Sequence, residues 1–253
     1  NLIPMNLLGA ELHRQRLKRT RPTWKTHQLP NNTSIQVSSL PGLHVGSITW
    51  EGSEILLRHL LQIYKSTATT LNFLELGSGT GFVGLALLAC LPLCTVTLTE
   101  KDNPPELQLL SENLAKNTGI SQRGTVAPLS WGEEEHDVNT TATPYDVIVA
   151  SDVLYSSACV EPLFKTISQL LVGASTSMYL CYKQRDADAE QLFFDKLDAA
   201  CLQYKSIHQE GAHTIYHITC NINISCLSTE TDSGKKHTVC GSLEKAANRP
   251  HND

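Results

Sequence analysis

The residues best suited to chemistry gather around one stretch, Leu74-Glu75-Leu76-Gly77-Ser78-Gly79-Thr80-Gly81. Three glycines at alternate positions after an apolar run let the backbone turn sharply and approach a ligand with no Cβ in the way. A helix starting just beyond them offers unpaired N–H groups to an anionic or polar ligand. About twenty residues on, Glu100 closes a second apolar run, where a carboxylate can accept hydrogen bonds from ribose hydroxyls. A later run ends in Ala150-Ser151-Asp152-Val153-Leu154-Tyr155. In an open α/β sheet, ligands lie at the carboxyl ends of the strands, so Asp152 and Tyr155 fall where a reacting group belongs. The competing structural reading has Asp152 capping a turn and Tyr155 packing.

These residues need a sheet to position them, and the sequence alternates accordingly. Strands are predicted over residues 71–76, 95–99, 125–129, 145–150 and 177–182. Helices follow to about Ala89, from Pro104 to about Asn117, from about Val160 to Leu171, and from about Ala187 to Cys201. This βαβα order implies a parallel sheet with right-handed crossovers and helices on both faces. Residues 203–208 and 213–220, joined by Glu210-Gly211, are too close for a crossover and form an antiparallel hairpin. Upstream, Ser34–Ser38 reads as a strand and Trp50–Tyr64 as a helix with Leu56, Leu60 and Ile63 on one face. The organisation is therefore a basic arm over 1–33, one α/β domain over 34–220 and a loose polar tail over 221–253, of which 221–227 could prolong the last strand.

Two motifs have competing readings. Gly79-Thr80-Gly81-Phe82-Val83-Gly84 matches the GxGxxG of nicotinamide dehydrogenases, but that register starts two residues after the chain has left the strand. Asn103-Pro104-Pro105 looks like the Asn/Asp-Pro-Pro loop that cradles a target nitrogen in base- and glutamine-methylating enzymes. There the loop follows the fourth strand; here it follows the second. Pro needs no N–H in the first helical turn, so these prolines start a helix carrying Leu107, Leu110 and Leu114.

Composition bounds the rest. The 253 residues are 41% hydrophobic and 18% charged, ordinary for a soluble globular protein. A formal charge of -5 argues against general nucleic-acid binding. The basic run His13–Arg21 reads as a solvated arm, with a partner or nucleic-acid contact as the alternative. No apolar run approaches the ~18 residues of a membrane span. The opening is apolar before it is basic, the reverse of a secretory signal. Because the chain begins with Asn, a lost targeting segment stays open, as does a mitochondrial presequence. Eight cysteines without a CxxC pair read as reduced core residues of a cytoplasmic or nuclear protein. The Asn-x-Ser/Thr sequons at Asn31, Asn139 and Asn223 read as chance matches. His213 and His217 could share one strand face, but no third ligand is evident and no metal is expected.

Glu75 ahead of the three glycines fits the acidic ExGxGxG loop of S-adenosylmethionine (SAM) enzymes. With Ile48-Thr49-Trp50-Glu51, Glu100, Leu129-Ser130-Trp131-Gly132, Asp152-x-x-Tyr155, and Arg185 followed by Phe193-Phe194, the chain resembles the seven-strand protein-lysine methyltransferases of methyltransferase family 16. The likeness spans roughly residues 35–220. It implies a Rossmann-like sheet of seven strands with an antiparallel last strand, SAM as cofactor, and a monomer acting on a lysine of a protein substrate. By resemblance, Glu75 organises the loop and the methionine amino end, Trp50 closes over the methionine end, and Trp131 packs near the adenine. Gly77, Gly79, Gly81 and Glu100 hold the cofactor, Ser151 lines its pocket, and Asp152 and Tyr155 shape the lysine channel. Glu51 and Glu100 stand where the family more often has Asp, which keeps the charge on a longer arm. Trp50 alone also reads as an aromatic seating a helix, and Trp131 as simple core. Methyl transfer to protein histidine, RNA or a small molecule is the alternative, as is a SAM-binding interaction protein without catalysis.

Overall fold

The computed structural model describes residues 23–39, 51–133, 145–171, 175–220, 227–232 and 235–240. Its centre is a sheet of seven strands. These are β3 (Leu71–Leu76), β4 (Cys94–Glu100), β5 (Gly124–Pro128), β6 (Val147–Ser151), β7 (Ser177–Lys183), β8 (Gln203–Glu210) and β9 (His213–Thr219). They lie in the order β5-β4-β3-β6-β7-β9-β8. The first five run parallel, and β9 is antiparallel to both β7 and β8. The antiparallel last strand thus lies inside the sheet, next to the edge. Strand order reverses at β3, which has β4 on one side and β6 on the other, so the crevice for a ligand opens beyond their carboxyl ends.

Alternation along the central strands builds two cores. Phe73, Val147 and Val149 point into one, while Leu74, Leu76, Ile148 and Ala150 point into the other. Strands buried on both faces read as continuous apolar runs, which is why these were legible. The first core is covered by α1 (Glu51–Tyr64), α2 (Phe82–Cys90) and α3 (Pro104–Lys116), the second by α4 (Ser157–Leu170) and α5 (Ala187–Ala199). The two prolines occupy the first turn of α3, as predicted, and Asn103 stands at the N-cap position without a side-chain capping bond.

Several expectations need correction. The boundary at residue 34 cuts through a hairpin: β1 (Thr23–Gln28) pairs antiparallel with β2 (Ser34–Ser39). β1 is exposed along most of its length, so it carries no apolar alternation to read. Its hairpin is nonetheless fastened, because Leu29, Ile35 and Val37 are buried in the first core. Asn113 of α3 and Asn117, the residue that caps its C-terminus, then act as a strand partner for β2. Asn113 Oδ1 accepts from the Ser38 N–H (2.8 Å), and its amide nitrogen donates to the carbonyls of Ser38 (3.0 Å) and Thr80 (2.9 Å). Asn117 pairs both backbone groups of Gln36 in the same way. Ile63 is 42% exposed while Leu56 and Leu60 are fully buried, since the apolar arc of α1 turns toward Leu57 and Leu61 instead. Within the tail expected to be loose, β10 (Leu227–Asp232) and β11 (Lys235–Cys240) form a separate antiparallel pair. Residues 221–226 and the basic run at 13–21 lie outside the described residues. Cys90, Cys94, Cys159, Cys181 and Cys220 are free thiols, whereas Cys201 is disulfide-bonded, against the expectation that all are reduced. Among the described residues, no helix is long and apolar enough to cross a membrane.

Candidate active site

A cleft of about 650 Å³ opens at the carboxyl ends of β3, β4 and β6. Of the ten site residues expected from the sequence, Gly77, Gly79, Glu100, Trp131, Ser151, Asp152 and Tyr155 line it together.

The loop after β3 is stapled to the end of β4. The Ser78 N–H donates to the Thr99 carbonyl (2.7 Å), the Thr99 N–H donates to Ser78 Oγ (3.0 Å), and Thr99 Oγ1 donates to the Glu75 carbonyl (2.6 Å). This brings Glu100 against the loop, where its carboxylate accepts from the N–H groups of Gly79 (2.9 Å) and Lys101 (3.0 Å). Each carboxylate oxygen can accept a second bond, which suits a hydroxyl-rich ligand. Gly77 has a φ of +62°, and a Cβ there would come 3.1 Å from the Trp131 ring and from Val153. Its missing side chain lets Trp131 lie against the loop. Trp131 is in turn held by Gly132, whose N–H donates to Thr166 Oγ1 (3.0 Å) and whose φ of +87° allows the chain to pass tightly over Pro162.

Glu75 and Gly81 belong to the support of the cleft and do not line it. Glu75 is buried beneath the loop, and its carboxylate accepts from the Gly84 N–H at 3.1 Å, which ties the strand to the start of α2. Burial is the main cause that pushes its carboxyl up to about 8; the nearby Glu100 adds to this and hydrogen bonds from Ser78 and Gly84 oppose it. Gly81 has a φ of +79°, and a Cβ there would lie 2.6 Å from Leu110 Cδ1, so this glycine serves helix packing. Trp50 lies outside the described residues.

Asp152 follows β6 in the left-handed region, with a φ of +54°. Its N–H donates to the Cys181 carbonyl (2.8 Å), and its side chain is 3% exposed. Arg185, on the loop after β7, brings a guanidinium nitrogen to 2.8 Å from Asp152 Oδ1. That contact is an ion pair lacking the alignment of a hydrogen bond, and neither carboxylate oxygen has an aligned donor among the described residues. On the other side stands His213 of β9, buried, with Nε2 4.0 Å from Asp152 Oδ2 and Nδ1 4.0 Å from Glu51 of α1. Gly52 of α1 also faces the carboxylate, and a Cβ there would overlap Asp152 Oδ2. Next along α1, the Ser53 and Ser151 hydroxyls lie 2.8 Å apart at the cleft wall. Tyr155 is 50% exposed at the mouth of the cleft. Burial, then Cys159, Glu100 and Glu106, push its phenol up, so the hydroxyl stays protonated and can donate.

Gly52 and Ser53 were not legible as site residues, and His213 was weighed only as a metal ligand. Gly52 and Ser53 sit in a helix whose apolar stripe announces only packing, and His213 sits in a strand of ordinary β composition. Arg185 entered only through resemblance, without a role. The arrangement can bind a nucleoside-sized ligand along the loop and Glu100, with an acid and a phenol lining the same cleft.

The fold is that of known methyltransferases. The 16S rRNA N2 G1207 methyltransferase of T. thermophilus, solved with AdoMet and guanosine, superposes with a TM-score of 0.58 at 15% identity, over 78% of this chain and 50% of that one. Mouse EEF1A lysine methyltransferase 3 is 33% identical over 124 residues, 49% of this chain and 50% of that protein. Mouse protein-lysine N-methyltransferase EEF2KMT is 28% identical over 200 residues, 72% and 59%. The chain spans about half the length of the curated relatives it matches. The model of the lysine methyltransferase family (methyltransferase family 16) matches residues 30–200, which holds the hairpin strand β2, the glycine loop, Glu100, Asp152, Tyr155 and Arg185. By that match the chain belongs to the lysine methyltransferase family.

Proposed function

We propose that the chain is an S-adenosylmethionine-dependent methyltransferase that transfers a methyl group to a lysine side chain of a protein substrate. The observation that carries this reading is the single cleft joining Gly77, Gly79 and Glu100 to Asp152 and Tyr155. Its volume falls within the usual range of small-molecule sites. Glu100 suits ribose hydroxyls, the flat Trp131 ring suits a base, and Gly79, which lines the cleft without a side chain, suits close approach of the ligand. When bound, SAM supplies an electrophilic methyl group on a sulfonium that leaves as a neutral thioether.

The chain's own residues then have to present a neutral amine in line. Free lysine has a pKa of ~10.4, so deprotonating it at pH 7 costs about 4–5 kcal/mol. Desolvation beside Tyr155 and the buried carboxylate favours the neutral form, while the Asp152 charge opposes it. Asp152 is therefore an orienting acceptor and not a strong base, and the ammonium loses its proton to water before the transfer. Relatives named for EEF1A and EEF2 lysines support a protein substrate. A net charge of -5 speaks against a nucleic-acid substrate, and we propose a monomer acting in the cytoplasm or nucleus, a reading that the free thiols of Cys90, Cys94, Cys159, Cys181 and Cys220 support and the disulfide at Cys201 opposes.

The test is labelling of a cell lysate with tritiated SAM, followed by hydrolysis of the product to amino acids. Methyl-lysine is expected. Methyl-histidine, labelled RNA or a labelled small molecule would transfer the assignment to that target, and SAM binding without any transfer would make the chain an interaction protein. On the labelled substrate, Asp152→Ala should lose most single-turnover transfer with SAM affinity within several-fold of wild type. Tyr155→Phe should be milder if the ring only walls the channel and severe if the hydroxyl aligns the amine.

A further inference from the structure

An orienting carboxylate carries a cost in this reaction. A buried anion next to the target amine stabilises its ammonium form, which has no lone pair to attack. The surroundings of Asp152 offset that cost from one direction only. Arg185 approaches Oδ1 at 2.8 Å, with a third of its side chain in solvent, whereas the imidazole of His213 stays 4.0 Å from Oδ2. Gly52 lets Oδ2 pack against the backbone of α1, where any larger residue would overlap it. The other titratable groups around this point do not replace the arginine. Cys181 on β7 has its thiol pushed up to about 12, by burial first and then by Asp152 and Glu210, so it stays neutral. Lys183 of β7 and Glu210 of β8 are the register partners of His213, at exposed positions, and Glu51 lies 78% exposed beyond the imidazole. Tyr155, on the same loop as Asp152, keeps its proton.

We propose that Arg185 is a positioning residue of the transfer: its ion pair with Asp152 holds the buried carboxylate and offsets its charge, so that the target amine enters the cleft as a neutral nucleophile. The inference rests on the lysine reading above. The backbone supports it, since β7 holds both ends of the device: the Cys181 carbonyl takes the Asp152 N–H, and Arg185 follows two residues after the strand ends. Without the arginine, Asp152 would still be in place but would pair with the ammonium.

The experiment compares wild type, Arg185→Ala and Arg185→Lys in single-turnover transfer, with enzyme in excess over the lysate protein labelled by the wild type, from about pH 6.5 to 10. Under these conditions the profile reports ionisation in the bound state. Arg185→Ala should move the rising limb upward by about one pH unit or more, an approximately tenfold loss at pH 7 that is recovered at the alkaline end. Arg185→Lys should restore the profile to within a few-fold of wild type, and all three proteins should bind SAM alike by calorimetry. An equal loss at every pH, or no loss, would overturn the role of Arg185 and leave the lysine assignment standing. Failure of the wild type to label any lysine would overturn both.

Discussion

Gly79 and Gly81 stand two residues apart in one loop, both at positive φ, and are glycines for different reasons. Gly79 lines the cleft and donates its N–H to Glu100, so a side chain there meets the ligand. Gly81 faces inward, where a Cβ would lie 2.6 Å from Leu110 and 3.0 Å from Leu98. Gly79→Arg should abolish SAM binding in calorimetry, at a stability cost of about 1–2 kcal/mol for the left-handed backbone. Gly81→Ala adds overpacking to that strain and should cost about 2–4 kcal/mol, read as a lower urea midpoint. If Gly81→Ala kept its midpoint and lost SAM instead, the division between lining and support would be wrong. The spacing of three glycines was legible in the sequence, but the division of labour among them was not. It depends on what α3 and β4 bring against each Cα.

At the scale of elements, the glycine loop is held from outside by the β1–β2 hairpin through α3. Asn113 is fully buried and spends its side chain on Ser38 and on the Thr80 carbonyl, so it joins hairpin, helix and loop. Asn113→Ala leaves the buried Ser38 N–H and two carbonyls without these partners. The expected cost is about 2–4 kcal/mol of unfolding free energy, with faster hydrogen exchange at the β2 amides before the central sheet is affected. An Ala variant with unchanged exchange at Ser38 would show that the hairpin is held by Leu29, Ile35 and Val37 alone. Helices and central strands were legible here because their apolar periods are long and regular. β1 was not, because a strand exposed along most of its length has no apolar face to advertise.

For the molecule as a whole, Glu75 sets a pH dependence of stability. Its folded-state pKa of about 8 lies above the ordinary 4.5, so the folded protein holds this proton more tightly than the unfolded chain does. The contribution of Glu75 is therefore most favourable below about pH 4.5, declines as pH rises toward about 8, and is fully lost above that. Glu75→Gln keeps an oxygen for the Gly84 N–H and removes the ionisation. The variant should match wild type near pH 5 and exceed it at pH 9, by an amount bounded at about 4–5 kcal/mol. Urea unfolding of both proteins across that range checks this. Parallel curves would mean that Glu75 is ionised in the folded state throughout.

The sequence by itself determined the parts of this protein whose signals are local. The apolar runs of β3 and β6 specify strands buried on both faces, Gly77-Ser78-Gly79 specifies a sharp turn, and Pro104-Pro105 specifies a helix start, each through the conformations those residues permit. It also put Glu100 and Asp152 at strand ends, where a parallel sheet gathers its chemistry. The tertiary structure alone decided which groups meet there. Arg185 and His213 reach Asp152 only because β7 pairs with β6 and the antiparallel β9 inserts beside β7. Ser53 reaches Ser151 only because α1 lies over the same edge. Glu75, expected to organise the loop and the methionine amino end, is a buried tie because its strand position points it at α2. Side-chain contacts between distant segments follow strand order and helix packing, and no short-range periodicity encodes them.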